Sequence, residues 1–192
     1  PLTLRNRTIR SAAFESMCPG NAPSDMLLDY HRSVAAGGIG MTTVAYAAVT
    51  RSGLSFDRQL WMRPEIIPGL RELTDAIHAE GAAAGIQLGH CGNMSHKSIC
   101  GCTPVGASGG FNLYSPTFVR GLRADELPEM ARAYGRSVNL AREAGFDAVE
   151  IHAGHGYLIS QFLSPSTNHR KDEFGGSLQN RMRFMDMVME EV

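Results

Sequence analysis

Short apolar runs alternate with longer segments of helical period four times along this chain. Residues 8–12, 41–49, 83–88 and 148–152 read as strands, small and apolar enough for burial on both faces. After the first, Ser24 or Asp25 caps a helix in which Met26, Leu27, Tyr30 and Val34 recur at helical spacing, and Gly37-Gly38 ends it. Pro64 opens a second helix with Ile67, Leu70, Leu73, Ala76 and Ile77 on one face, and Gly81 stops it. Asp125 is expected to cap a third, through residue 144, and Ser177 a fourth, through residue 192. Such alternation predicts an α/β fold with parallel strands and helices outside. A closed (β/α)8 TIM barrel needs eight units and ~250 residues. The 192 residues here hold about the first four units. A small doubly wound sheet is the other reading, but no G-x-G-x-x-G follows the first strand.

Two stretches lack a clear period, residues 89–123 and 153–176. Loops of that length inside compact folds tend to carry function. With 43% hydrophobic and 19% charged residues, the chain is not a disordered one. Eighteen basic against nineteen acidic residues leave no excess charge for a nucleic acid or a membrane surface. No apolar run approaches the ~18 residues of a membrane span, and no signal sequence opens the chain. Cys18, Cys91, Cys100 and Cys102 do not form the framework of a secreted disulfide domain, so reduced thiols and a cytoplasmic location are expected. A C-x-C pair with one distant Cys falls short of a four-ligand cluster. These read as loop thiols, and no metal is expected.

The densest information follows the fourth strand, in Glu150-Ile-His152-Ala-Gly-His155-Gly-Tyr157. The C-terminal ends of parallel strands are where α/β folds place their chemistry. Two imidazole N–H donors can hold a carbonyl oxygen and stabilise developing enolate charge. A phenol beside them can protonate carbon as a general acid. Two other readings stand beside this one. His152 could be a satisfied strand-end histidine with Tyr157 as a loop anchor, or His-x-x-His could be a zinc ligand pair without a third ligand.

The run continues through Phe162-Leu-Ser-Pro165, Asn168, Arg170, Asp172, Phe174-Gly-Gly-Ser177 and Asn180-Arg181. In this it resembles the Old Yellow Enzyme family of NADH:flavin oxidoreductases. Asn6-Arg7, Gly37-Gly38-Ile-Gly40 and Gln87-Leu-Gly-His90 also fall where that family has them. The resemblance implies that residues 1–192 are the N-terminal half of an FMN-binding TIM barrel cut from a longer polypeptide, with the second half of the barrel required. It implies FMN as cofactor and NADH or NADPH as hydride donor. Catalytic and substrate-binding roles fall on His152 and His155, and the proton-donor role on Tyr157. Ser11, Ala12, Ala13, Ala45, Gln87 and His152 would contact FMN, and Tyr46 the substrate. The small-molecule substrate would be an activated alkene, an α,β-unsaturated carbonyl or dienoyl compound. A homo-oligomer is compatible with the sequence.

The residues support parts of this directly. A side-chain amide offers the donor and acceptor that a flavin edge needs, although Gln87 alone also reads as a buried amide satisfied by backbone. Small residues at Ala12, Ala13 and Ala45 allow a flat ring to approach, or simply pack a barrel. Relatives carry Pro-Met in place of Ala12-Ala13, Thr or Cys in place of Phe14, and Glu-Ala in place of Ala45-Tyr46. His90-Cys-Gly-Asn93 replaces H-A-G-R. Arg170, Asp172 and Arg181 read as fixing the loop after strand four. The alternatives are a half-barrel that neither binds flavin nor turns over, and a flavin-dependent dehydrogenase or demethylase.

Overall fold

The computed structural model describes residues 1–192. The chain runs β1 (Ile9–Arg10), α1 (Asp25–Ala36), β2 (Met41–Ala48), α2 (Ile67–Ala79), β3 (Ala83–Gly89), α3 (Lys97–Cys100), β4 (Val105–Gly106), β5 (Gly110–Asn112), β6 (Thr117–Gly121), α4 (Leu127–Glu143), β7 (Ala148–Ile151), α5 (Leu158–Leu163) and α6 (Leu178–Glu191). It forms two compact units. One comprises Pro1–Ala47, Asp57–Leu88 and Ser137–Ile151, the other Ala48–Phe56, Gly89–Arg136 and His152–Val192.

The first unit is built on a sheet of order β1-β2-β3-β7. The pairs β1/β2 and β3/β7 are parallel, with Gln87 opposite Glu150. Leu27 and Ala35 of α1, and Leu70, Leu73 and Ile77 of α2, are completely buried. The α2 positions are those that helical spacing singles out, but of the α1 positions so named only Leu27 is buried: Met26 is 52% exposed, Tyr30 and Val34 are half-buried, and His31 and Ala35 take the inward face instead. Ser24 caps α1, its hydroxyl accepting from the Leu27 amide at 3.3 Å and donating to the Met17 carbonyl at 2.6 Å. Gly81, at φ +76°, provides the left-handed turn after α2.

Strand β1 is shorter than residues 8–12. The amide of Ala45, a donor a longer β1 could have engaged, goes instead to the Glu15 carboxylate at 3.2 and 3.3 Å. The second helix differs as well, because residues 64–66 form a 3-10 turn before α2 begins. The third helix does not start at Asp125. A 3-10 turn over Ala124–Glu126 precedes α4, and the Glu126 carboxylate accepts from the Arg123 amide at 2.8 Å. Asp125 is occupied by the Arg123 guanidinium. The fourth strand ends at Ile151, one residue before His152.

In the second unit, residues 89–123 are not an aperiodic loop. Strands β4, β5 and β6 make a small sheet of order β4-β6-β5, with β5 and β6 an antiparallel hairpin. Its cross-strand pair Phe111–Phe118 meets edge to face at 5.1 Å, and both rings are largely exposed. Residues 153–176 likewise contain α5, which packs on α6 through Phe162 and Phe184, ring centroids 4.6 Å apart. Asn168 donates to the carbonyls of Phe162 and Phe174, both at 2.7 Å. Arg170 grips Asp172 and reaches the Ala107 carbonyl at 3.0 Å, and Arg181 reaches that of Leu163 at 2.7 Å. The Arg170 bond holds the Asp172 carboxyl below its ordinary range. No helix is long and apolar enough to cross a membrane.

Candidate active site

His152 is the first residue past β7, and its side chain is buried. The chain then turns tightly, the Tyr157 amide donating to the Gly154 carbonyl at 3.1 Å. The turn needs two successive left-handed residues, His155 at φ +56° and Gly156 at φ +69°. Glycine takes that conformation freely, whereas histidine does so at a cost of ~1 kcal/mol or more. Strain of this kind collects at functional sites.

The turn brings three rings together. His152 and His155 stand 4.9 Å apart between centroids, and His152 and Tyr157 5.0 Å, each edge to face. His155 Nδ1 lies 3.2 Å from His152 Nε2, so one ring donates and the other accepts. A substrate oxygen that takes an N–H from both rings must therefore displace this bond.

A residue the motif reading passed over holds the turn from behind. Gln161 of α5 is buried, and its Nε2 lies 2.6 Å from the Gly156 carbonyl and 2.9 Å from Asn93 Oδ1. Its Oε1 accepts from the Asn93 amide at 3.2 Å. The available signal was a lone amide inside the apolar run Leu158-Ile-Ser-Gln-Phe-Leu163, since a buried amide must find partners. His155 and Gly156 also border a cavity of about 540 Å³ whose far wall includes Phe111 and Tyr114 of the hairpin segment.

In the sheet-bearing unit, Ser11, Ala12 and Ala13 leave the end of β1, Ala45 and Tyr46 lie late in β2, and Gln87 lies in β3. Gln87 is buried, but its partner is a side chain and not backbone, with Nε2 donating to Glu150 Oε1 at 2.6 Å. Tyr46 is 4% exposed, its ring centroid 6.5 Å from that of Phe14.

Beneath these positions lies a charged cluster that sequence reading did not isolate. Glu15 pairs with Arg10 at 3.0 Å and lies 3.3 Å from His31 Nε2, out of line for a hydrogen bond. His31 Nδ1 meets the Thr42 hydroxyl at 2.8 Å. Arg10 also donates to the Thr43 carbonyl at 2.6 Å and the Ala13 carbonyl at 3.2 Å. Nothing in Phe14-Glu15-Ser16-Met17 distinguishes this carboxylate from one on a solvated loop.

These residues suit an isoalloxazine ring in specific ways. One N–H of the Gln87 amide is committed to Glu150, and its second N–H and its oxygen match the donor and acceptor of a pyrimidine edge. Ala12 and Ala13 present small side chains. Ala45 can offer only its methyl face, because its amide is held by Glu15.

The family model of NADH:flavin oxidoreductases and NADH oxidases matches residues 1–192, the whole chain. The chain belongs to that family. It is 42% identical over 192 residues to the 4,4'-dithiodibutanoate disulfide reductase of Rhodococcus erythropolis, covering all of this chain and 48% of that protein. It is 35% identical over 200 residues to the NADPH dehydrogenase of Bacillus subtilis, covering 58% of that protein. Among solved structures, the Old Yellow Enzyme homologue of Zymomonas mobilis superposes with a TM-score of 0.92 at 29% identity, over 99% of this chain and 56% of that one. The chain thus spans about half the length of the family members it matches, and its strand–helix units correspond to about half of their TIM barrel. FMN is the family's flavin.

Proposed function

We propose that residues 1–192 supply the N-terminal half of an FMN-binding barrel in an oxidoreductase that moves hydride from NADH or NADPH to an activated alkene. The observation that carries this reading is the His152–His155–Tyr157 cluster on a strained turn at the end of β7. Bound FMN supplies the hydride chemistry, which belongs to the cofactor. Gln87, Ala12, Ala13, Ala45 and the Ser11 backbone shape the surface that would hold it, and the family resemblance adds His152 as a flavin contact. Tyr46 and Phe14 form an apolar wall on the substrate side.

His152 and His155 bind the activating oxygen of the substrate, trading the bond between their rings for two bonds to that oxygen. This places two donors where enolate charge develops. The Tyr157 hydroxyl then gives its proton to the α-carbon. The strained His155 backbone and the Gln161 amide fix the donor positions before substrate arrives.

The test uses the full-length, flavin-loaded protein. In Tyr157→Phe, alkene reduction should fall by ~10²-fold or more, the usual range for a lost general acid, while flavin reduction by NADPH keeps its wild-type rate. Unchanged alkene reduction would place the proton donor elsewhere. The 42% identity to a disulfide reductase makes organic disulfides a second acceptor class for the same NADPH-dependent assay.

A further inference from the structure

Cys100, Gly101 and Cys102 close the short helix α3, with Gly101 at φ +74° in the left-handed turn that follows it. That turn folds the two thiols back on each other. Cys102 Sγ lies 3.6 Å from Cys100 Sγ, and Cys100 Sγ lies 3.1 Å from the Cys102 carbonyl. The two sulfurs differ in access. Cys100 is 2% exposed, whereas Cys102 is exposed and borders a cavity of about 580 Å³ that also includes Thr50, Thr103 and Arg120.

We propose that Cys100 and Cys102 form a dithiol exchange site that reduces a small organic disulfide bound in this cavity, with Cys102 as attacking thiol and Cys100 as resolving thiol.

Geometry supports the assignment of roles. Residues two apart cannot separate their Cα atoms beyond ~7 Å, so a turn at the intervening glycine brings them within bridging range. Of the two cysteines only Cys102 lines the cavity, and Cys100 Sγ, 3.6 Å from Cys102 Sγ, is placed to displace a group from it. The Arg51 guanidinium lies over Gly101, and Arg51 and Arg120 both favour the Cys102 thiolate. Burial and the neighbouring Cys100 outweigh them and hold the Cys102 thiol above its ordinary value, so exchange should quicken toward alkaline pH. The cavity has the size of an organic ligand site. A metal would need a third ligand, and no group of three His, Cys, Asp or Glu residues is placed to hold one.

The steps balance. The Cys102 thiolate attacks one sulfur of the disulfide, forming a mixed disulfide and releasing a thiolate that takes up the proton Cys102 lost. Cys100 then loses its proton and attacks Cys102 Sγ. The bond to the bound fragment breaks, the fragment leaves as a second thiol, and a Cys100–Cys102 disulfide remains. The substrate gains two electrons and the dithiol loses them. A low-molecular-weight thiol restores the pair by the reverse exchange.

The probe is one equivalent of 5,5'-dithiobis(2-nitrobenzoate), added to the reduced full-length protein without NADPH and followed by intact mass and peptide mapping. Wild-type protein should release both aromatic thiolates, keep no adduct, and become lighter by two hydrogen atoms within the peptide carrying residues 100 and 102. Cys100→Ser should release one and retain the adduct on Cys102. Cys102→Ser, which leaves only the buried Cys100 to attack, should react at least ~10-fold more slowly, and its NADPH-dependent flavin reduction should match wild type. Cys18 and Cys91 are buried and pushed up to about 12, so they stay silent. A stable mixed disulfide on wild-type Cys102, or reaction at another thiol first, would overturn the proposal. Peptide mapping of the wild type decides even where Cys100→Ser does not fold. Because no NADPH is present, the outcome is independent of the flavin reading.

Discussion

The side-chain amide of Gln87 donates to the carboxylate of Glu150 at 2.6 Å, across the paired strands β3 and β7 where the two residues stand opposite each other. The bond fixes which way the amide faces, and so which of its edges would be offered to a flavin under the proposed function. A hydrogen bond to a charged partner is worth ~1.5–3 kcal/mol, and the exposure of Glu150 reduces this to about 1 kcal/mol. Glu150→Ala should therefore weaken FMN binding by the full-length protein about fivefold, read by flavin fluorescence titration. Glu150→Gln, which keeps an acceptor oxygen, should lose less. Equal losses in the two variants would mean that the carboxylate does not orient the amide.

The left-handed backbone of His155 makes a stability prediction separate from chemistry. His155→Ala and His155→Gly both remove the imidazole, but only glycine relieves the strain at φ +56°. The glycine variant should be more stable than the alanine variant by about 1 kcal/mol in urea denaturation. The reverse order would show that the turn relaxes without cost.

His90 sets an acid limit on the fold. It is completely buried, its Nδ1 accepts from the Gly92 amide at 2.9 Å, and its Nε2 meets the Ser52 hydroxyl at 3.1 Å. The neutral ring thus carries its proton on Nε2, and burial lowers its pKa from 6.5 to about 3. Below 6.5 the unfolded chain binds a proton that the folded chain refuses. Stability is then full above 6.5, falls as pH drops, and levels off near 3, with a slope of up to ~1.4 kcal/mol per pH unit. Denaturant titrations across this window should show the slope in wild type and a shallower one in His90→Gln. An identical slope would assign the acid sensitivity to other groups.

The adjacent glycines of Phe174-Gly-Gly-Ser177 are there for different reasons. A Cβ on Gly175 would strike the Arg170 carbonyl oxygen, while Gly176 has open space but sits at φ +79°. Gly176→Ala should cost about 1 kcal/mol of backbone strain. Gly175→Ala forces backbone to move against backbone and should cost about 2–3 kcal/mol. Chemical denaturation of the two variants gives the comparison directly, and equal costs would mean that the Arg170 loop yields.

What the sequence reveals follows from how local each determinant is. The caps Ser24 and Ser177 and the buried face of α2 rest on spacing along one element, and they stand as read, whereas α1 turns Met26 outward and buries His31 beside Thr42 and Glu15, partners that no local spacing shows. The hairpin β5–β6 escapes notice because its strands are three and five residues long and its Phe111–Phe118 pair faces outward. Helix α5, at six residues, is too short to show a period. At the site, His152, His155 and Tyr157 come together because all three lie on one short turn between β7 and α5. Glu15, Glu150 and Gln161 act on partners 5 to 68 residues away, which no local pattern encodes.

The hairpin segment that walls the His155 cavity belongs to a small sheet of its own, while Tyr157 and the histidines hang from α5 and the end of β7. Shape and reactivity are therefore written in separate pieces of backbone. Under the proposed function, libraries confined to Phe111, Leu113 and Tyr114 should retune which face of a prochiral alkene is presented, and the proposed proton-moving groups stay untouched.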